Sequence, residues 1–199
     1  MFPNMPSGDE LKKEDIVTFG KPEKLLKPKG VKSARIEADK YFLKIATVVA
    51  ERSTCRRHHI GAVAVRDKRI LATGYNGAPS GLKDCLELGY CLRDKLGIAS
   101  GERHEVCRAI HAEQNLIIQA GLYGVSLEDA TVYCTHTPCL ICCRMLVNAR
   151  IKRFVSYHDY DPSRYTASVN FAGFGDFFKE AGIKVDKIER PSSRITYLD

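Results

Sequence analysis

His111-Ala112-Glu113 and Pro138-Cys139-Leu140-Ile141-Cys142 decide the reading of this chain, because between them they carry three soft N/S donors and one acid. His111, Cys139 and Cys142 suit Zn²⁺. Three protein ligands leave the fourth tetrahedral position open, which marks a catalytic rather than a structural zinc. Water at such an ion ionises near neutral pH and becomes a nucleophile. Glu113, two residues after the histidine, falls on another side of the first helical turn. It can touch that water without ligating the metal, which suits it to move protons. A bare Cys-x-x-Cys would be open to other readings: a zinc knuckle, a redox pair or two buried thiols. The joint occurrence of all these residue types is what makes the pattern specific.

Both motifs open helices. His111 to about Gly121 is apolar at Leu116, Ile117 and Ile118, and Gly121 is a plausible stop. Pro138 at a first helical position starts a second helix through Cys142, Met145, Leu146 and Ala149. A helix N-terminus favours negative charge, so Cys139 and Cys142 are both expected to deprotonate readily. Working outward, residues 60–65 and 69–74 read as strands joined through Arg66-Asp67-Lys68, a polar stretch of hairpin length. The run Tyr75-Asn76-Gly77-Ala78-Pro79-Ser80-Gly81 is turn chemistry and places a loop at a strand end. Upstream, Tyr41, Phe42, Ile45, Val48 and Val49 mark an amphipathic helix from near Ile36 to about Arg52, with this stripe facing the core. Downstream, strands are expected at 130–134, 153–157 and 183–185, with a helix from Phe171 to about Ala181. The stretch from Gly81 to Arg108 is rich in Cys, Gly and charge without periodicity, and reads as an insertion. A hairpin followed by alternating helices and strands predicts an α/β domain. It has three layers, α/β/α, with helices on both faces of a mixed, about five-stranded sheet.

Composition narrows the classes further. With 199 residues and 44% hydrophobic content the chain can bury a core as one domain, expected over 36–199, behind a basic extension over 1–35. Lys21, Lys24, Lys27, Lys29 and Lys32 recur in that extension, which reads as a solvated arm rather than a binding element. A net charge of +7 without a dense basic block fits an anionic substrate, nucleic acid or simple solubility. No segment reaches the ~18 apolar residues of a membrane span. No leader is read at the start, so a soluble, cytoplasmic protein is expected. The eight cysteines are then better read as metal thiolates and reduced thiols than as disulfides.

Five segments together carry a resemblance. They are Arg52-Ser53-Thr54-Cys55, Gly61-Ala62-Val63, Gly74-Tyr75-Asn76-Gly77-Ala78-Pro79, Cys107-Arg108-Ala109-Ile110-His111-Ala112-Glu113-Gln114-Asn115, and the Pro138–Cys142 motif. From about Tyr41 to Val185 the chain resembles the deoxycytidylate deaminases of the cytidine deaminase-like superfamily. The resemblance implies hydrolytic loss of ammonia from C4 of dCMP to give dUMP, the thymidylate precursor. Zinc would sit on His111, Cys139 and Cys142. Glu113 would take the proton of water, donate to N3 and later protonate the departing amine. Asn76 matches an asparagine that contacts the sugar, although Asn-Gly is also a common turn former. Tyr160 falls where the family has a substrate-contacting tyrosine, although a packed aromatic is an equal reading.

The same resemblance implies a second, structural Zn²⁺. Cys55 and Cys85 match two of its ligand positions, Cys91 and Cys107 would complete the set, and His104 could replace either of the last two. Scattered reduced thiols are the other reading of these residues. Homo-oligomers, commonly hexamers, and control by dCTP and dTTP with Mg²⁺ also go with the family. For the 5′-phosphate, Arg52, Arg56 and Arg57 cluster near the first helix end, and arginine suits bidentate phosphate contacts. Two other readings stay open. One is a deaminase of another cytosine nucleoside or nucleotide, of guanine or of tRNA adenosine. The other is a non-catalytic nucleic-acid-binding protein on the same fold, against which the intact Glu113 argues.

Overall fold

Strand β1 (Gly61–Arg66) alternates its side chains between two cores, and that alternation organises the molecule. Ala62 and Ala64 enter one cluster, and Val63 and Val65 the other. The structure is a computed structural model that describes residues 36–100, 102–158 and 174–191. Around β1 run α1 (Ala38–Ala50), β2 (Arg69–Tyr75), the short α2 (Leu92–Lys95) and a 3₁₀ turn at His104–Val106. They are followed by α3 (Ala112–Leu122), β3 (Thr131–His136), α4 (Leu140–Asn148), β4 (Arg153–His158), α5 (Phe174–Glu180) and β5 (Lys184–Lys187). The five strands form one sheet in the order β2-β1-β3-β4-β5. β1 is antiparallel to β2 and β3, while β3, β4 and β5 are parallel, so the expected mixed five-stranded sheet is what forms.

Helices cover both faces. On one, Leu116 of α3, Leu146 of α4 and Phe178 of α5 pack on Val132, Cys134 and Phe154. Leu116, Leu146, Phe154 and Phe178 have no exposed surface. Burying each contributes about 1.5–3 kcal/mol of transfer free energy. On the other face Phe42, Leu43 and Ala46 of α1 meet Val63, Tyr133 and Val155. The hairpin loop contracts to Asp67-Lys68, with φ of 51° and 62°. Two left-handed residues are what a type I′ turn needs to follow the strand twist.

Two glycines set how closely the helices approach. A Cβ on Gly61 would lie 2.2 Å from the Ala46 carbonyl oxygen, and one on Gly74 2.3 Å from that of Ala112. Backbone of α1 therefore lies directly on β1, and backbone of α3 on β2.

This close approach corrects the expected face of α1. Its buried residues are Phe42, Leu43, Ala46 and Ala50, whereas Tyr41 and Val48 are exposed. Only small residues fit where the helix meets Gly61, so the core-facing stripe keeps Phe42, Ile45 and Val49 but takes in Ala46 and Ala50 in place of Tyr41 and Val48. The last strand starts one residue later than expected and leaves Ile183 in the core. The aperiodic insertion holds α2 and the 3₁₀ turn. The extension over 1–35, Tyr160 and Phe171 lie outside the described residues. No helix among the described residues is long and apolar enough to cross a membrane.

At the amino ends of β3 and β4 the sheet is tied to α1 by ions. Arg153 donates from Nη1 and Nη2 to the two oxygens of Asp39 at 2.8 and 2.7 Å and from Nε to Asp186 at 2.5 Å. Tyr133 adds its hydroxyl to Asp39 at 2.8 Å.

Candidate active site and metal centres

The site forms where β1 begins and β2, β3 and β4 end, and backbone pairing fixes it before any side chain acts. Gly77 after β2 exchanges both backbone hydrogen bonds with Ile110 before α3, at 3.2 and 3.0 Å. His111 is thereby held as the extended residue that caps α3, and its N–H donates to Gln114 Oε1 at 2.8 Å. Asn115, one turn on, donates from Nδ2 to the Tyr75 carbonyl at 2.7 Å and pins α3 to the end of β2. Cys139 caps α4 in the same extended conformation, and Cys142 sits buried in its first turn.

These caps bring the three donors together. His111 Nδ1 lies 3.4 Å from Cys139 Sγ and 3.4 Å from Cys142 Sγ. Around a tetrahedral zinc, with Zn–N and Zn–S bonds of about 2.0 and 2.3 Å, an N···S edge is about 3.5 Å. The donor set and its spacing therefore fit that ion. Glu113 is 3% exposed, and its carboxylate lies within 4.8 Å of the His111 and Cys142 donor atoms.

Burial pushes the Glu113 carboxyl up to about 7, the range in which it can hold or release a proton at neutral pH. For His111, burial acts downward but the hydrogen bond and charge of Cys139 outweigh it, so its pKa is raised. The Cys139 and Cys142 thiols share one hydrogen bond. Cys142 hydrogen-bonds to Cys139 and holds it far below the ordinary thiol value, while Cys142 itself is raised by that same bond.

Asn76 lines the same cavity and is 6% exposed. Its Oδ1 accepts from the Ile60 N–H at 2.9 Å and its Nδ2 donates to the His58 carbonyl at 2.8 Å. It thus braces the entry to β1 as well as facing the cavity. Cys55, Cys85, Cys91 and Cys107 also converge on the cavity wall. Burial and the charges of the other three raise the Cys85 thiol. His104 lines that cavity as well. Its donor atom lies within 4.8 Å of His111 and Cys139, and its ring centroid is 4.9 Å from that of His111.

Of the three arginines singled out in the sequence, Arg52 and Arg56 are exposed. Arg57 reaches the cavity but is spent on the protein. Its Nε and Nη2 donate to Asp94 Oδ1 at 2.8 and 2.6 Å, and further bonds go to the carbonyls of Ile98 and Ala99. Sequence reasoning missed Arg93. It lines the cavity, is 6% exposed and donates from Nη2 to the Ala99 carbonyl at 2.7 Å, with no partner for Nε. Nothing in an aperiodic stretch marks one arginine as buried, so no signal in the sequence could have found it.

The chain matches the family described as the cytidine and deoxycytidylate deaminase zinc-binding region over residues 36–158. It is 36% identical over 155 residues to ComE operon protein 2 of Bacillus subtilis, covering 78% of this chain and 73% of that one. It is 37% identical over 131 residues to the deoxycytidylate deaminase of Schizosaccharomyces pombe, covering 66% of this chain and 40% of that longer protein. Among solved structures, the dCMP deaminase of cyanophage S-TIM5 in complex with dCMP and dUMP superposes with a TM-score of 0.60 at 29% identity. The match covers 77% of this chain and 98% of that one.

Proposed function

Since this chain belongs to the cytidine and deoxycytidylate deaminase family, we propose that it catalyses the hydrolysis of dCMP to dUMP and ammonia. The observation that carries this reading is the His111, Cys139 and Cys142 triangle, with its 3.4 Å edges, set beside the buried Glu113. The relatives named for deoxycytidylate deamination narrow the substrate.

His111, Cys139 and Cys142 hold the zinc, which when bound supplies the Lewis acidity that lets water ionise near neutral pH. Glu113 takes the proton from the attacking water and passes it to N3 of the cytosine as C4 is attacked. It then takes the remaining proton from the C4 hydroxyl of the tetrahedral adduct and delivers it to the departing amine, so that the C–N bond breaks, C4=O forms, and water and dCMP become dUMP and ammonia with Glu113 restored. Burial of Glu113 near neutrality suits it to both directions of transfer. Asn76, braced by the His58 and Ile60 backbone, keeps its second amide proton for the sugar, and Tyr160 is a second substrate contact. Cys55, Cys85, Cys91 and Cys107 hold a second, structural zinc that pins the insertion, in keeping with their convergence on one cavity wall. The deaminase domain runs over 36–199, behind the separate extension over 1–35. The protein works in the cytoplasm as a homo-oligomer, with dCTP and dTTP with Mg²⁺ as its effectors.

The test is ammonia release from dCMP, deoxycytidine, cytidine, CMP, dCTP and guanine, with Glu113→Ala as the blank and zinc counted on the same samples. Turnover of dCMP, lost in the variant, and two zinc ions per chain are expected. No turnover of any substrate by zinc-loaded protein would overturn the assignment. One zinc per chain would remove the second site, and rates unmoved by dCTP and dTTP would remove the effector control.

A further inference from the structure

Among the described residues, two buried side-chain polar atoms lack a hydrogen-bond partner, Ser156 Oγ and Arg93 Nε. The second matters more, because a guanidinium is permanently charged and a buried charge left short of partners is costly. Arg93 makes a single hydrogen bond, from Nη2 to the Ala99 carbonyl at 2.7 Å. Arg57 Nη1 donates to that same oxygen at 3.3 Å, so the two guanidinium groups lie side by side on the cavity wall. One carboxylate serves the pair: Asp94 bonds Arg57. No carboxylate bonds Arg93, which shares the cavity with His111, Glu113 and the four cysteines.

We infer that Arg93 is the residue that reads the 5′-phosphate, so that this pocket selects a nucleoside monophosphate over the bare nucleoside. The inference rests on the deaminase reading above. Arg57 is fixed by Asp94 and by the carbonyls of Ile98 and Ala99, and it acts as the wall against which Arg93 is held. Arg93 keeps Nε–H and a neighbouring N–H of its planar group for a bidentate contact, the geometry in which arginine binds phosphate best. Arg93 lines the same cavity as His111 and Glu113. Arg57 feels Cys91 and Cys107 and faces the cysteine group. Phosphate would supply what the folded chain omits, an acceptor for Nε.

The experiment uses the zinc-loaded full chain as wild type, Arg93→Met and Arg93→Lys. It measures turnover of dCMP and deoxycytidine, calorimetric binding of dUMP and deoxyuridine, and zinc content. In Arg93→Met the KM for dCMP is expected to rise about 10–100-fold and dUMP binding to weaken by the same factor, the loss of one charge-assisted contact. Zinc content should hold, and deoxycytidine turnover and deoxyuridine binding should change far less than the nucleotide values, so that the preference for nucleotide over nucleoside falls. Arg93→Lys, which keeps the charge and loses the planar pair of donors, should recover part of the effect.

An unchanged preference for dCMP over deoxycytidine in Arg93→Met would overturn the inference. So would loss of zinc with the preference retained, since Arg93 would then be a counter-ion of the cysteine group. Should Arg93→Met prove insoluble, equal affinity of the wild type for dUMP and deoxyuridine, or full phosphate selectivity in Arg93→Lys, would overturn it as well. Failure of the wild type to deaminate any cytosine substrate would count against the deaminase reading alone, because dUMP binding reports on Arg93 without turnover.

Discussion

Arg153 and Arg93 are both largely buried, yet they sit at opposite ends of the fold in opposite states of satisfaction. Arg153, where β4 begins, spends its planar group on Asp39 and Asp186, and Tyr133 completes the Asp39 oxygens. Arg93, at the cavity, has one carbonyl and an idle Nε. Between them lies the difference between a brace and a binding site. A brace closes its hydrogen bonds within the chain, because any group left open there only costs stability. A binding site leaves bonds open for a ligand to close. Glu113 belongs with Arg93 in this respect, since its burial raises its pKa to about 7 and outweighs the pull of His111, its own backbone N–H and Cys142 toward the ion.

The sharpest way to test that division is to remove the proton carrier. Glu113→Gln keeps shape and packing, so kcat for dCMP is expected to fall about 10³-fold or more while zinc content and thermal stability hold. A fall in zinc alongside activity would place Glu113 among the supports instead.

The two glycines give the next contrast. Gly74→Ala drives a methyl group to 2.3 Å from the Ala112 oxygen and 2.4 Å from the Leu116 nitrogen. It should displace α3, and with it His111 and Glu113, lowering kcat/KM on the order of 100-fold. Gly61→Ala meets α1, with Ala46 O at 2.2 Å and Ala50 N at 2.5 Å. It should destabilise the fold while the activity of the folded fraction is largely kept. Equal losses of activity in the two variants would show that α1 also positions the site.

A smaller effect is expected at the brace. Arg153→Met leaves Asp39 and Asp186 without their cation. Both partners are partly exposed, with Arg153 at 22% and Asp39 at 30%. Solvent screening therefore limits the loss to about 1–3 kcal/mol, read as a lower urea midpoint with an unchanged KM for dCMP. A changed KM would mean that strain at this end reaches the cavity.

The smallest effect is the pH dependence of the same brace. The hydrogen bond from Arg153, opposed by burial, holds the Asp39 carboxyl below its ordinary value of 3.8. The unfolded chain therefore takes up this proton at higher pH than the folded one. The stabilisation from Asp39 is full above its unfolded value and drains away as pH falls through the folded one. Asp39→Asn should be less stable than wild type at pH 6, with the gap narrowing below pH 4. A gap independent of pH would remove the ion pair as its cause.

How much of this was legible beforehand varied with how local the governing physics is. The turn at Asp67-Lys68, the strands of the hairpin and the helices opened by His111 and Pro138 follow from short-range pattern, and they formed nearly where expected. The stripe of α1 did not. Which residues face inward there depends on Gly61, distant in sequence, admitting only Ala46 and Ala50 at the closest point. The cavity shows the same limit. Arg52, Arg56 and Arg57 look alike in the sequence, and only folding ties Arg57 to Asp94 and leaves the others exposed.

By itself, then, the sequence determined the chemistry. A histidine, two cysteines and a glutamate at fixed local spacings determine which donors and which acid are carried, because helix starts place neighbouring residues without help from the rest of the chain. Only the tertiary structure decided that Asn76 braces the entry to β1, and that Arg93 comes in from the insertion to stand beside Arg57 with a donor unspent. Those outcomes depend on burial and on partners far away in the chain, and neither is written in any local pattern.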